Sequence, residues 1–112
     1  MYRVDVTQLL KGVLDLAVLA VLRDSDCYGY DVLRRLRAAG LDEVGDASVY
    51  GTLRRLFQAG YLTTYVVPSD EGPHRKYYAL NAAGREQLDR SVKTWRTFAT
   101  TMEHLIGQGA PA

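Results

Sequence analysis

The chain has 112 residues, of which 47% are hydrophobic, and its formal net charge is +1. This length accommodates one domain with at most an appendage, and the hydrophobic content is sufficient for a packed core, which excludes a disordered chain. The small net charge excludes attraction of an anionic partner by the molecule as a whole, so we expect such a partner to be recognised through a local patch.

Two features indicate a cytoplasmic protein. The single cysteine, Cys27, has no partner for an internal disulfide, and we expect it to be a small buried residue. The N-terminal sequence shows no signal-peptide pattern. The apolar run from Leu9 to Leu22 is interrupted by charged residues and a glycine, so it falls short of the ~18 uninterrupted apolar residues of a membrane span. We therefore expect no association with a membrane.

The first predicted helix runs from Thr7 to Leu22, with Thr7 as its N-cap. Apolar residues occupy adjoining faces of this helix, so it must be covered on more than one side. The rest of so short a chain offers little cover, and we expect a second subunit to supply part of it. The residues of this helix expected at the dimer interface are Leu9, Val13 and Leu16.

A second helix is predicted from Tyr28 to Ala39, and Gly40 supplies the left-handed residue that ends it. We expect its three arginines, Arg34, Arg35 and Arg37, to lie on a solvated face, although one of them would be able to steady a phosphate. The second helix and the next one form a helix-turn-helix candidate.

The third predicted helix, from Asp46 to Gly60, has one apolar face, formed by Val49, Leu53, Leu56 and Phe57. The opposite face carries guanidinium groups, small hydroxyls and a glycine, and no carboxylate. Arginine pairs with phosphate or guanine, hydroxyls reach phosphate or base edges, and glycine lets the backbone approach a flat partner. This face predicts a helix that enters a DNA groove, although a merely solvated face is the alternative. The candidate DNA-binding residues are Ser48, Tyr50, Gly51, Thr52, Arg54 and Arg55.

A β-hairpin is predicted next. The segments from Tyr61 to Val67 and from Arg75 to Leu80 are rich in tyrosine, threonine and valine, and the proline- and glycine-containing stretch between them is a loop. A cationic cluster lies where the loop ends, and its members, His74, Arg75 and Lys76, are further candidate DNA-binding residues. A hairpin that follows a basic helix is the layout of a wing, which contacts a neighbouring groove or the DNA backbone. An ordinary solvated hairpin is the alternative.

The last predicted helix begins after Asn81, a good N-cap, and continues to about Gly107. Its length of roughly 39 Å exceeds what the preceding domain needs. Apolar residues recur along it at alternating spacings of four and three, the pattern of a helix that packs against another helix. We assign this seam to a dimer interface. Its members are Leu88, Val92, Trp95, Ala99, Met102 and Ile106.

These elements predict a mainly α fold with a small β-hairpin, in the α+β class. Residues 1–80 are expected to form a winged helix-turn-helix DNA-binding domain. Residues 81–112 are expected to form a C-terminal dimerisation helix and tail.

Three parts of the chain carry motifs whose order and spacing are specific when taken together. They are Leu9 to Leu22 with Tyr28-Gly29-Tyr30-Asp31; Ser48-Val49-Tyr50 with Leu53-Arg54-Arg55-Leu56 and Gly60-Tyr61-Leu62; and Gly72-Pro73-His74-Arg75-Lys76-Tyr77-Tyr78 with Leu80 and Gly84-Arg85. Together they resemble the PadR family of bacterial transcriptional regulators, in the smaller branch with a single C-terminal helix.

The resemblance implies a repressor that binds an inverted-repeat operator as a homodimer, with a small aromatic or drug-like molecule as its candidate effector. It implies that Tyr50 contacts DNA. The family usually has proline at the next position, where this chain has Gly51, and commonly threonine where this chain has Asn81. In some relatives an aromatic residue on the last helix lines a pocket between subunits. Trp95 is the matching candidate, and a plain interface anchor is its alternative role.

Two other classes of function compete with this interpretation. The first is a non-DNA protein–protein interaction module, in which the helices and the hairpin bind another protein. The second is an enzyme, which we do not expect, because His74 and His104 lie on different elements and Cys27 has no adjacent base. The spacing of these three residues gives no support for a metal site either. We expect no metal and no cofactor.

Overall fold

The computed structural model describes residues 9, 10 and 12–108, and within this part of the chain helices pack beside a small antiparallel sheet. This architecture confirms the predicted fold class. The elements in chain order are α1 (Leu14–Asp24), β1 (Cys27–Tyr28), α2 (Gly29–Ala38), α3 (Asp46–Gln58), β2 (Leu62–Val67), β3 (Arg75–Leu80) and α4 (Ala82–Gln108). No helix in the described ranges is both long enough and apolar enough to span a membrane.

The first helix begins later than predicted. Leu9 and Leu10 are helical, but a turn at Gly12 and Val13 precedes α1. The Gly12 N–H donates to the Leu9 carbonyl at 3.4 Å, and the Val13 N–H donates to the Leu10 carbonyl at 3.0 Å. Both bonds join residues three positions apart, as in a tight turn, rather than the four of an α-helix. Glycine is unfavourable inside an α-helix, which is a local reason for this break. The predicted N-cap, Thr7, lies outside the described residues.

The core lies between the first three helices, and one residue of the predicted apolar stripe does not belong to it. At most 1% of each of six core side chains is exposed: Val18, Leu19, Val32, Leu33, Val49 and Leu53. Cys27 is fully buried as predicted, and this burial raises the pKa of its thiol. Phe57, by contrast, is 44% exposed. The assignment of Phe57 to the buried face of the third helix was therefore wrong.

The sheet has the order β1-β3-β2, with β3 in the centre. The predicted hairpin is confirmed, and its pairing runs from Leu62 opposite Leu80 to Val67 opposite Arg75. Strand β1 pairs with β3 on the other side and was not predicted. Because side chains alternate along a strand, Lys76 and Tyr78 lie on one face of β3 and Arg75 lies on the other.

Helix α4 is fixed to the hairpin at its start. The Asn81 Oδ1 accepts a hydrogen bond from the Gly84 N–H at 2.8 Å, which confirms the predicted N-cap, and its Nδ2 donates to the Gly60 carbonyl at 2.9 Å. A Cβ atom added to Gly84 would lie 2.2 Å from the Tyr61 carbonyl oxygen. Only glycine allows this close approach between the helix and the hairpin.

The predicted apolar seam of α4 divides into two parts. Leu88 is only 3% exposed and belongs to the core of its own chain, and Val92 packs against that core. The prediction that Leu88 forms the dimer interface was therefore wrong, because this residue is already buried in the core of its own chain. Beyond Val92, the large apolar side chains of the helix are exposed, whereas Ala99 is half-buried. The longest dimension of the molecule is 64 Å.

Candidate nucleic-acid interface

Helix α3 presents most, but not all, of its predicted DNA-binding residues to solvent. Ser48, Arg54 and Arg55 are exposed, and Tyr50 is 40% exposed. Thr52 is only 3% exposed, however, so the prediction that its side chain contacts DNA was wrong. Thr52 lies on the flank of the apolar stripe that faces α1, and its hydroxyl accepts a hydrogen bond from the Arg55 Nη2 at 3.5 Å.

Tyr50 lies against the start of α2. A Cβ atom added to Gly29 would be 2.2 Å from the Tyr50 Cε1 atom, so the ring packs directly on the glycine backbone. This contact joins the first residue of α2 to the outer part of α3. Gly29 is thus a positioning residue for Tyr50. The tyrosine-glycine-tyrosine motif was visible in the sequence, but nothing there indicated which ring the glycine accommodates.

Arg54 and the hairpin meet at one cleft of about 190 Å³, lined by Tyr50, Arg54, Phe57, Lys76 and Tyr78. The cleft brings together residues from α3 and β3 that the sequence assigned separately to a DNA-reading helix and a wing. In the described part of the chain neither Arg54 nor Lys76 forms an ion pair with a carboxylate. Among the described residues, therefore, no carboxylate neutralises the positive charge of the cleft.

Aromatic rings support the cations of the hairpin. The Lys76 amine lies 5.8 Å from the centre of the Phe57 ring and 5.5 Å from the centre of the Tyr78 ring. On the opposite face of the sheet, the Arg75 guanidinium lies 4.6 Å from the centre of the Tyr28 ring. Cation–π contacts of this kind orient a positive charge without cancelling it. The predicted cluster is therefore divided, and only Lys76 faces α3. His74 is exposed at the end of the loop.

Arg55 has a different environment from its neighbour in sequence. Its Nη2 atom lies 2.5 Å from the Asp15 Oδ1 atom of α1, and both side chains are more than half exposed. The pair borders a groove of about 360 Å³, which is also lined by Ser48 and Gly51. A Cβ atom added to Gly51 would meet no atom within 4 Å, so this side of α3 is open. No local pattern in the sequence indicated the Asp15–Arg55 contact.

The arginines of α2 are engaged within the fold. Arg34 and Arg35 both donate to the Asp31 carboxylate, which is 8% exposed, and the Arg35 distance is 3.1 Å. Burial favours a raised pKa for Asp31, but the hydrogen bonds from Arg34 and Cys27 outweigh it, so the pKa of this carboxyl is lowered. Arg37 donates to the Val44 carbonyl at 2.9 Å. All three arginines are exposed, as the predicted solvated face requires, but their contacts with Asp31 and Val44 were not predicted.

The fold is that of a winged-helix transcription regulator, and comparison with known proteins identifies the family. The model of the Transcriptional regulator PadR-like family matches residues 18–90. The protein therefore belongs to the PadR-like family of transcriptional regulators, which confirms the resemblance found in the sequence.

Solved structures agree with this assignment. A PadR-like transcriptional regulator from Bacillus cereus is 33% identical, with a TM-score of 0.80, and the match covers 92% of this chain and 99% of the other. A Streptococcus transcriptional regulator is also 33% identical, with a TM-score of 0.78 and coverage of 88% and 96%. A PadR family regulator from Eggerthella lenta is 27% identical, with a TM-score of 0.81 and coverage of 90% and 88%.

Proposed function

We propose that this protein regulates transcription by binding duplex DNA through α3 and the hairpin. The observation that carries the proposal is the cleft shared by Tyr50, Arg54 and Lys76, in which two cations from different elements face one surface. Arginine is suited to a guanine edge or a phosphate, and lysine to a phosphate. In this arrangement α3 enters the major groove, and the hairpin holds the backbone beside it.

We assign the remaining contacts with DNA to residues that are exposed near the cleft. Ser48 and Tyr50 lie on the outer part of α3 with Arg54, and Gly51 leaves space for a close approach of the helix backbone to DNA. His74 and Lys76 are available to the flanking phosphates. Arg75 lies on the outer face of the sheet, so its contact with DNA would require it to leave the Tyr28 ring.

We also propose that two copies associate through α4. Beyond the core, large apolar side chains along this helix are 38–64% exposed: Trp95, Phe98, Met102, Leu105 and Ile106. An exposed apolar surface of this extent is typical of an interaction site, and the four-and-three spacing suits packing of α4 against its own copy. Leu9, which is 67% exposed, is a further candidate for cover by the second copy. Residues 1–80 would then read DNA, and residues 81–112 would join the subunits.

A two-fold dimer presents two α3 helices to DNA and therefore selects an inverted repeat, with half-sites about 34 Å apart. Binding at such an operator within a promoter would repress transcription. The ring centres of Trp95 and Phe98 lie 6.3 Å apart on the apolar side of α4, where two subunits would enclose them. A small aromatic effector that binds there would alter the separation of the two α3 helices.

Selection of bound fragments from genomic DNA tests the proposal, because a protein–protein interaction module would enrich none. Arg54→Ala removes one of the two cations of the cleft and should weaken binding to the selected duplex by about 1 to 3 kcal/mol. Arg96→Ala, which removes the same charge from the polar side of α4, away from the apolar seam, is the matched control and should bind as the parent does. Equal binding by Arg54→Ala and the parent would remove Arg54 from the interface.

A further inference from the structure

We propose that Asp15, a residue of α1 rather than of the DNA-reading helix, determines the sequence specificity of DNA binding. It holds Arg55 in a fixed orientation for contact with a base and reduces the ability of that arginine to bind any phosphate. This inference rests on the proposed function, since it requires that α3 reads DNA.

The contact between Asp15 and Arg55 joins two distant parts of the chain. Asp15 and Arg55 are 40 positions apart in sequence, yet the Asp15 Oδ1 and Arg55 Nη2 atoms are 2.5 Å apart. The same Nη2 atom donates to the Thr52 hydroxyl, and Thr52 is itself held in the core. Two acceptors therefore constrain one end of the guanidinium. Because arginine has further N–H donors, the other side of the group is still able to donate to a base edge.

The two neighbouring arginines of α3 have different electrostatic environments. Arg54 faces the cleft with Lys76, where its charge is not neutralised by any described carboxylate. Arg55 faces the groove beside Ser48 and Gly51, where it forms an ion pair with Asp15. Attraction to phosphate depends mainly on charge and is independent of sequence. Recognition of guanine depends on the orientation of the donors.

The proposal therefore assigns different tasks to the two sides of α3. On the Arg54 side, positive charge supplies affinity for the DNA backbone. On the Arg55 side, the Asp15–Arg55 pair adds little to that affinity but presents fixed donors to a base pair. The groove of about 360 Å³ provides the space, because Gly51 has no side chain to occupy it.

The experiment compares Asp15→Asn with the parent on two probes: the duplex that the parent selects from genomic DNA, and a scrambled duplex of the same length and composition. Asp15→Asn frees the charge of Arg55. We expect tighter binding to the scrambled duplex, with the slope of log K against log salt steeper by about one phosphate contact. We expect the ratio of selected to scrambled affinity to fall about tenfold, the size of one base-pair mismatch.

Two controls separate this effect from a general change of charge. Asp24→Asn removes an exposed carboxylate from the same helix, where it contacts Arg23 instead, and should leave the affinity ratio unchanged. In an Arg55→Ala background, Asp15→Asn should produce no further loss of the ratio. Circular dichroism checks that each variant is folded. We expect all of them to fold, because the Asp15–Arg55 ion pair is exposed and contributes little to stability.

Three outcomes would overturn the inference. The first is an equal gain of affinity for both duplexes, which would make Asp15 a simple source of repulsion. The second is an unchanged affinity for both. The third is a loss of the ratio that persists without Arg55. If the parent itself enriches no duplex, the proposed function fails instead, and this result is distinct from the other three.

Discussion

The dimer that we propose depends on the exposed apolar side of α4. Phe98 is 55% exposed and Leu105 is 57% exposed, so about half of each side chain is left for a partner to bury. Full burial of such a side chain contributes about 1.5–3 kcal/mol, and half of it about 1 kcal/mol. Each residue occurs twice in a two-fold dimer, so the double variant Phe98→Ala/Leu105→Ala should weaken dimerisation by roughly 4 kcal/mol.

Sedimentation equilibrium measures this change directly, since roughly 4 kcal/mol corresponds to nearly three orders of magnitude in the dissociation constant. Alanine is the best helix former, so α4 should persist in the variant. The matched control is Thr97→Ala/Thr100→Ala, which makes two alanine substitutions on the opposite side of the same helix. A double variant that keeps its helical content and the dissociation constant of the parent would refute the assignment of this face to the dimer.

Three further predictions concern positions where the structure is tightly constrained. Gly84→Ala forces a Cβ atom to within 2.2 Å of the Tyr61 carbonyl oxygen, and in urea denaturation it should lower the free energy of unfolding by about 1 to 3 kcal/mol. Gly29→Ala displaces the Tyr50 ring, so in a gel shift it should weaken DNA binding as much as Tyr50→Ala does. Asp31→Asn should lower the free energy of unfolding by about 1 to 2 kcal/mol at neutral pH. The pKa of Asp31 in the fold is lowered, so the ionised carboxylate stabilises the fold fully above the ordinary pKa of 3.8. This stabilisation is lost as the pH falls below 3.8 towards the lowered pKa. The difference in thermal stability between parent and variant should therefore narrow below pH 3.8.

Each of these predictions has a result that would contradict it. Gly84→Ala of parental stability would mean that α4 does not approach the hairpin so closely. Full DNA binding by Gly29→Ala, alongside weak binding by Tyr50→Ala, would show that the glycine does not position the ring. A stability difference between Asp31→Asn and the parent that stays constant from pH 7 to below 3.8 would show that the lowered pKa of Asp31 does not stabilise the fold.

Local sequence patterns predicted much of the fold. The hairpin follows from its β-prone segments and its proline- and glycine-containing loop, and the end of α2 follows from Gly40, which has a φ of +119°. Strand β1 could not be predicted in this way, because two residues are too few to show a periodicity. Its position depends on pairing with β3, which is distant in sequence.

The errors at α3 have a common cause. Thr52 and Phe57 lie on opposite flanks of its apolar stripe at similar angles, so periodicity alone does not decide which of them is buried. The neighbouring elements decide it. Helix α1 covers the Thr52 side, whereas the hairpin leaves an open cleft on the Phe57 side, where the ring supports Lys76.

Periodicity alone was also insufficient to predict the contacts of the candidate site. Helical spacing predicted that Arg54 and Arg55 share an exposed face, and both are exposed. Their different partners, Lys76 in the same cleft and Asp15 in an ion pair, come from segments far away in sequence. Contacts of this kind follow from the packing of elements and leave no local signal.

The central claim is that two copies joined through α4 place both α3 helices on one face of a duplex. Hydroxyl-radical footprinting on the duplex that the parent selects measures this arrangement most directly. We expect two protected stretches whose centres are about one helical turn apart, roughly 10 base pairs, and which are related by the two-fold symmetry of the site. A single protected stretch, or two stretches in direct repeat, would contradict the claim.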